Sequence, residues 1–161
     1  MGTPTQPIVD IMRRTMANLA FVEERAGPNG PYEVTQLINS FVGALAHPWE
    51  WMKDDLMQLP LTEIASKNWP AVQKEYPTDI EPNSLGDLVR LMRNAMAHGN
   101  IELYSDGRRQ ISAIRVWNIK HGRRDWGAVV RIDDMRRFLE CFVELIEERH
   151  KQHGWYGRQA A

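Results

Sequence analysis

The stretch SLGDLVRLMRNAMAHG, Ser84 to Gly99, decides how the chain folds. Ser84 followed three residues later by Asp87 has the form of a capping box, with an acid in the first turn to complement the helix dipole. Gly99 is the residue expected just past a helix end. Between these signals the spacing predicts a helix running to His98. With Leu88 placed at zero and about 100° allowed per residue, Leu91, Met92, Ala95 and Met96 fall between about 300° and 80°, which makes the buried face. Arg93 then lies at about 140°, Ala97 at about 180°, Arg90 at about 200°, Asn94 at about 240° and His98 at about 280°.

The second face is polar, and from Leu88 to His98 it carries no acid. Arg90, Asn94 and His98 follow one another at i, i+4 and i+8, a ladder along one side of the helix. Arg93 sits about 140° round from His98, and the small Ala97 between them lets another helix or a substrate come close. Two arginines, an amide and an imidazole form a donor-rich cationic surface whose natural complement is a phosphate. Histidine adds the ability to move a proton near neutral pH. With 15 Arg and 5 His in the chain, an Arg-x4-His pair arises about 0.5 times by chance, so the pair gains its meaning from the helix it sits on.

Beyond Gly99 the pattern changes to strands: Ile101 to Tyr104, an Asp106-Gly107 turn, Ile111 to Ile119, a loop through Gly122, then Val129 to Ile132. Asp-Gly between two such runs is a strong hairpin signal, which predicts a two- or three-stranded antiparallel meander. A last helix starts at a cap on Asp133 or Asp134 and continues to about His150, with Met135, Phe138, Leu139, Phe142, Val143 and Ile146 facing the core. Towards the N-terminus, Pro7 opens a helix over about residues 7–26 that Gly27-Pro28 ends, and the stripe Val34, Leu37, Ile38, Phe41, Val42, Leu45 makes a second over about 33–47 that Pro48 stops. Between 48 and 83, five prolines leave room only for short helices such as one near 61–68. Trp49, Trp51 and Trp69 in this segment are read as a roof over the core, with base stacking as the alternative. The fold class is mainly α: one domain over residues 1–161, four to five helices, a small antiparallel β insertion at about 100–132 before the last helix, and a loose tail over 154–161.

The 161 residues carry a formal charge of −1 and one cysteine. A chain this long can bury roughly 68–70% of its unfolded surface without staples. Cys141 alone forms no internal disulfide, which excludes the small disulfide scaffold and fits a reducing, cytoplasmic setting. No run approaches the ~20 apolar residues of a spanning helix, the N-terminus is not read as a signal peptide, and Gln6 stands where a myristoylation start expects Ser or Thr. The near-neutral total hides an asymmetry. Residues 1–87 carry 6 Lys/Arg against 12 Asp/Glu, and residues 88–131 carry 9 against 3. All but one of those nine are arginine, whose planar fork suits phosphate, although a solvated hairpin face would show the same charges. Several other chemistries are excluded. His150 and His153 lie three apart with no carboxylate or thiol set to complete a metal site, Cys141 sits among Phe138, Phe142 and Val143 as a small core residue, and no Gly-rich phosphate loop occurs.

The run Arg93-Asn94-Ala95-Met96-Ala97-His98 resembles the Arg-polar-x3-His signature of the HEPN superfamily, the higher eukaryotes and prokaryotes nucleotide-binding domains, many of whose members are RNases. The signature covers six residues; the order of two long helices, motif helix and closing helix extends the likeness across most of the chain. The run Leu91 to Asn100 followed by a β insertion resembles plasmid- and phage-borne HEPN nucleases in particular. The resemblance implies an HEPN-like bundle and a metal-independent, cofactor-free endoribonuclease, a toxin or defence component. In it His98 takes the proton from a ribose 2′-hydroxyl or protonates the leaving oxygen, Arg93 stabilises charge on the phosphorane-like transition state, and Asn94 orients the phosphate or His98. The products are a 2′,3′-cyclic phosphate and a 5′-hydroxyl, and DNA is inert. Because Arg93 and His98 diverge on one helix, a two-fold pairing of motif helices would converge two of each, in keeping with the family habit of a site at a homodimer interface. Arg90, Asn100, Arg108, Arg109, Arg123 and Arg124 are the candidate RNA-binding residues around it. An antitoxin or other defence protein is a further expected partner. The toxins paired with a nucleotidyltransferase antitoxin usually have Tyr two residues after the His, where this chain has Asn100, so the likeness stops short of that pairing. A non-catalytic nucleotide- or RNA-binding module, or a dimerising partner, uses the same surface and stands as the alternative.

Overall fold

A computed structural model describes residues 6–108 and 110–153. The expected loose tail over 154–161 lies outside the described residues, and so does Arg109. The elements run α1 (Pro7–Glu23), α2 (Glu33–Ala46), α3 (Trp49–Met57), α4 (Leu61–Ser66), α5 (Leu85–Ala97), β1 (Ile101–Ser105), β2 (Ile111–Lys120), β3 (Arg123–Arg131) and α6 (Ile132–His153). The fold is mainly α with a small antiparallel sheet before the last helix, as the sequence predicts. The described residues divide into two compact units, one of residues 6–51 and 139–153, the other of residues 52–138.

In the first unit α1 and α2 pack together, burying Val9, Met12 and Leu19 from one and Leu37, Phe41, Ala44 and Leu45 from the other. Arg13 Nε reaches Glu147 Oε1 at 2.7 Å and ties α1 to α6. Cys141 is buried beside the buried Phe142, as its apolar surroundings foretell. Helix α1 stops three residues short of its expected end. The N–H groups of Arg25 and Ala26 turn to carbonyls three residues back, Val22 and Glu23, which tightens the last turn and closes the helix before Gly27.

In the second unit α5 packs across β2 of a sheet ordered β1-β2-β3, antiparallel throughout. Ile114, Val116, Trp126, Ala128 and Val130 are buried. Ile114 pairs with Val130 and Val116 with Ala128, so their side chains share one face of the sheet. Each large apolar side chain so buried contributes about 1.5–3 kcal/mol.

Three further elements differ from their expected form. Strand β3 begins at Arg123, six residues before Val129, because the loop at Gly122 is a two-residue turn: His121 and Gly122 have φ of 51° and 73°, the signs of a type I′ hairpin. Helix α3, nine residues long, is a second short helix in the proline-rich segment, beside the one expected near 61–68. Pro48 stops α2 but also supplies the first turn of the next helix, its carbonyl accepting Trp51 N–H at 3.1 Å. Helix α6 starts at Ile132, so Asp133 and Asp134 lie in its first turn rather than at the cap. Of the three tryptophans read as a roof, Trp49 is buried and Trp69 stands edge-on to Phe138 with centroids 5.1 Å apart, but Trp51 is exposed.

Candidate active site

Helix α5 takes its limits from its own sequence. Ser84, buried at the N-cap, accepts Asp87 N–H at 3.1 Å, and its hydroxyl also lies 3.2 Å from Asp87 Oδ2. At the other end His98 is the C-cap. Gly99, at φ 71°, gives its N–H to Met96 and Asn100 gives its N–H to Ala95, a Schellman motif that only a residue tolerant of left-handed backbone closes without strain. The apolar side of the helix, Leu88, Leu91, Met92, Ala95 and Met96, is buried as the wheel requires. Gly86 is buried against α3, where a Cβ would meet Met57 N at 2.7 Å.

The polar side is arranged as follows. Arg93 and Asn94 are half-buried, Ala97 and His98 are exposed, and Arg93 Nη2 donates to Asn94 Oδ1 at 3.3 Å. Arg90 is held by Asp87, with Nη2 to Oδ1 at 3.3 Å. The ladder therefore does have an acid, one position before Leu88, at the i,i+3 spacing of neighbours on a helix surface. Asn100, half-buried, accepts Trp117 N–H on its carbonyl at 3.3 Å, and Asn118 Nδ2 donates to the Leu91 carbonyl at 2.6 Å. Asn118 is a positioning residue that sequence reasoning missed, since its side chain joins the alternating buried face of β2 only once the sheet is known. Arg93, Asn94 and His98 are thus set on one helix whose middle and end are both bonded to β2.

The arginines expected to widen a phosphate surface do not form one patch. Arg108 lies at the turn between β1 and β2 and Arg123 at the turn between β2 and β3, and the ten residues of β2 put those turns at opposite ends, roughly 33 Å apart. Arg109 is outside the described residues. Arg124 is turned inward: it meets Glu75 at 2.7 Å and Asp79 at 2.8 Å and lies over the Tyr76 ring with its guanidinium carbon 4.3 Å from the centroid. Gly127 makes room for it, because a Cβ there would collide with the Arg124 guanidinium. Arg115 joins the same cluster through Glu75 and Glu102. Burial alone would push the Glu75 carboxyl up, but hydrogen bonds from Arg115 and Arg124 outweigh it and hold the group below the usual carboxylate range. Arg115 is raised by its bonds to Glu75 and Glu102; burial would lower Arg124, but its bonds to Asp79 and Glu75 outweigh that and raise it. Part of the basic stretch is therefore neutralised by acids of the preceding segment, and Arg124 sits in an ion network with Glu75 and Asp79.

Among the described residues no three His, Cys, Asp or Glu gather into a group that could hold a metal ion, and no helix is long and apolar enough to cross a membrane. Neither the curated proteins nor the solved structures contain a match to the chain. A family model does match, that of HEPN pEK499 p136, over residues 1–153. With Arg93, Asn94 and His98 on the face of a helix that precedes the β insertion and the closing helix, and with the match running nearly the whole length, this chain belongs to the HEPN pEK499 p136 family.

Proposed function

We propose that the chain is a metal-independent endoribonuclease that cleaves RNA by attack of the 2′-hydroxyl on the adjacent phosphate. The observation that carries the reading is the placing of Arg93, Asn94 and the exposed His98 on one polar helix face. The 2′-hydroxyl loses its proton, the 2′-oxygen bonds to phosphorus, the bond to the 5′-oxygen breaks, and that oxygen takes a proton; His98 handles one or both proton transfers. Arg93 supplies charge to the phosphorane, and Asn94 orients the phosphate while fixing the Arg93 guanidinium. Arg90 and Asn100 flank the site as phosphate contacts. Arg93 and His98 point about 140° apart, so the working site is completed by a second copy, with α5 paired about a two-fold axis and Ala97 allowing close approach. A toxin or defence role, with a protein inhibitor, fits such an enzyme.

The test is cleavage of RNA in excess chelator with analysis of the ends. The expected result is 2′,3′-cyclic phosphate and 5′-hydroxyl termini, no cutting of DNA, and loss of cutting in His98→Ala and Arg93→Ala with their thermal unfolding unchanged. Cleavage that stops on chelation, or a His98→Ala protein that cuts like the wild type, refutes the mechanism. RNA bound but left at full length would instead mark a non-catalytic binding module.

A further inference from the structure

We infer that the tip of the β2–β3 hairpin, Lys120, His121 and Arg123, is a second RNA-phosphate contact that guides the strand into the α5 site; this rests on the RNA reading above. Lys120 and Arg123 are direct cross-strand partners closing the turn. Like charges placed opposite each other on one face repel and destabilise a hairpin, yet here they are kept side by side. Both are exposed, as are Ile119 and His121, and among the described residues no ion pair joins Lys120, His121 or Arg123 to an acid. The neighbouring arginines behave differently, since Arg115 and Arg124 are saturated by Glu75, Asp79 and Glu102, Arg90 is held by Asp87, and Arg131 lies 3.7 Å from Asp133.

Position fits as well. Asn118 reaches the Leu91 carbonyl of α5, and Lys120 follows two residues on, past a shift in the β2–β3 register after Asn118. Trp117 N–H is bonded to Asn100, two residues from His98, and Lys120 is three residues further along β2, about 10 Å. The Arg108 turn lies in the opposite direction, at the far end of β2. An anion bridging Lys120 and Arg123 relieves their repulsion, and the RNA backbone is the anion that the adjoining site is built to receive.

The experiment measures binding of an uncleavable, fully 2′-O-methylated oligoribonucleotide over a range of salt, together with thermal unfolding. Lys120→Glu turns the repulsive pair into an attractive one, so it should raise the unfolding temperature while weakening binding at least tenfold. Lys120→Gln with Arg123→Gln should lower the slope of log K against log salt by about 1.4, near 0.7 for each lost single-strand contact. Arg108→Gln should change neither. If wild-type protein binds but Lys120→Glu binds equally well, or Arg108→Gln loses as much as the tip variants, the hairpin assignment is overturned and the α5 reading stands. If wild-type protein does not bind the probe, the RNA reading fails and this inference falls with it.

Discussion

Replacing Arg124 by Met separates a structural arginine from a phosphate ligand. The Asp79 side chain is 4% exposed and that of Arg124 is 22% exposed, and they meet at 2.8 Å. Without the guanidinium, Asp79 keeps the Tyr76 N–H at 2.9 Å on its carboxylate and is left, among the described residues, a buried charge with no ion-pair partner, Lys74 Nζ reaching only its backbone carbonyl. Breaking a buried pair from one side costs about 3–5 kcal/mol. Arg124 is partly open to water, so the lower end, about 3 kcal/mol, applies. Glu75 softens nothing here, because it retains Arg115. For a chain of this length each kcal/mol shifts Tm by about 2–4 °C, giving a loss of about 6–12 °C. Thermal unfolding followed by circular dichroism reads the shift. Adding Asp79→Asn to the Arg124→Met protein should recover part of it, since the stranded charge is then gone. Affinity for the methylated oligoribonucleotide should change by less than about twofold. A Tm within 2 °C of the wild type, combined with a large loss of RNA affinity, would refute the reasoning and return Arg124 to the RNA surface.

Two other outcomes follow from the same structure. Ser84→Ala should destabilise by about 1–2 kcal/mol, at the upper part of the usual capping range because Ser84 is buried, and urea unfolding should show the midpoint falling with its slope unchanged. The depressed Glu75 carboxyl stabilises the fold at neutral pH. That stabilisation is complete above the ordinary value of 4.5 and is lost as the pH falls below it through the lowered folded value. Glu75→Gln should therefore flatten the acid side of a Tm-against-pH profile, and an unaltered acid limb would show that the Arg115–Glu75–Arg124 cluster is not what fails in acid.

Local signals were legible and distant ones were not. Ser84, Gly99 and the apolar spacing between them act within a few residues, so α5 and the bearing of Arg93, Asn94 and His98 on it could be read directly. Strand β3 is longer than its expected range because Arg123, Arg124 and Asp125 look like loop, and Gly127 is a weak strand former between Trp126 and Ala128. Pro48 ends one helix and starts another, two roles that the residue type alone does not distinguish. The fate of Arg124 depends on Asp79, 45 residues away, and on a glycine that clears its path. Glu75 and Asp79 belong to the acidic segment and Arg115 and Arg124 to the basic one, and folding brings them together.

The junction between α5 and β1 restricts how the chain can vary. Only Gly99 and Asn100 separate His98 from the first residue of a strand, and both are committed, one to the left-handed turn and the other to Trp117. One added residue here would carry Glu102 and Tyr104 to the opposite side of the sheet and take Glu102 from Arg115. A deletion would do the same. The interval from the motif histidine to the first strand is thus fixed in length, and insertions accumulated over evolution, or grafted by design, belong instead in the turn at 106–110 or in the segment between α4 and Lys74.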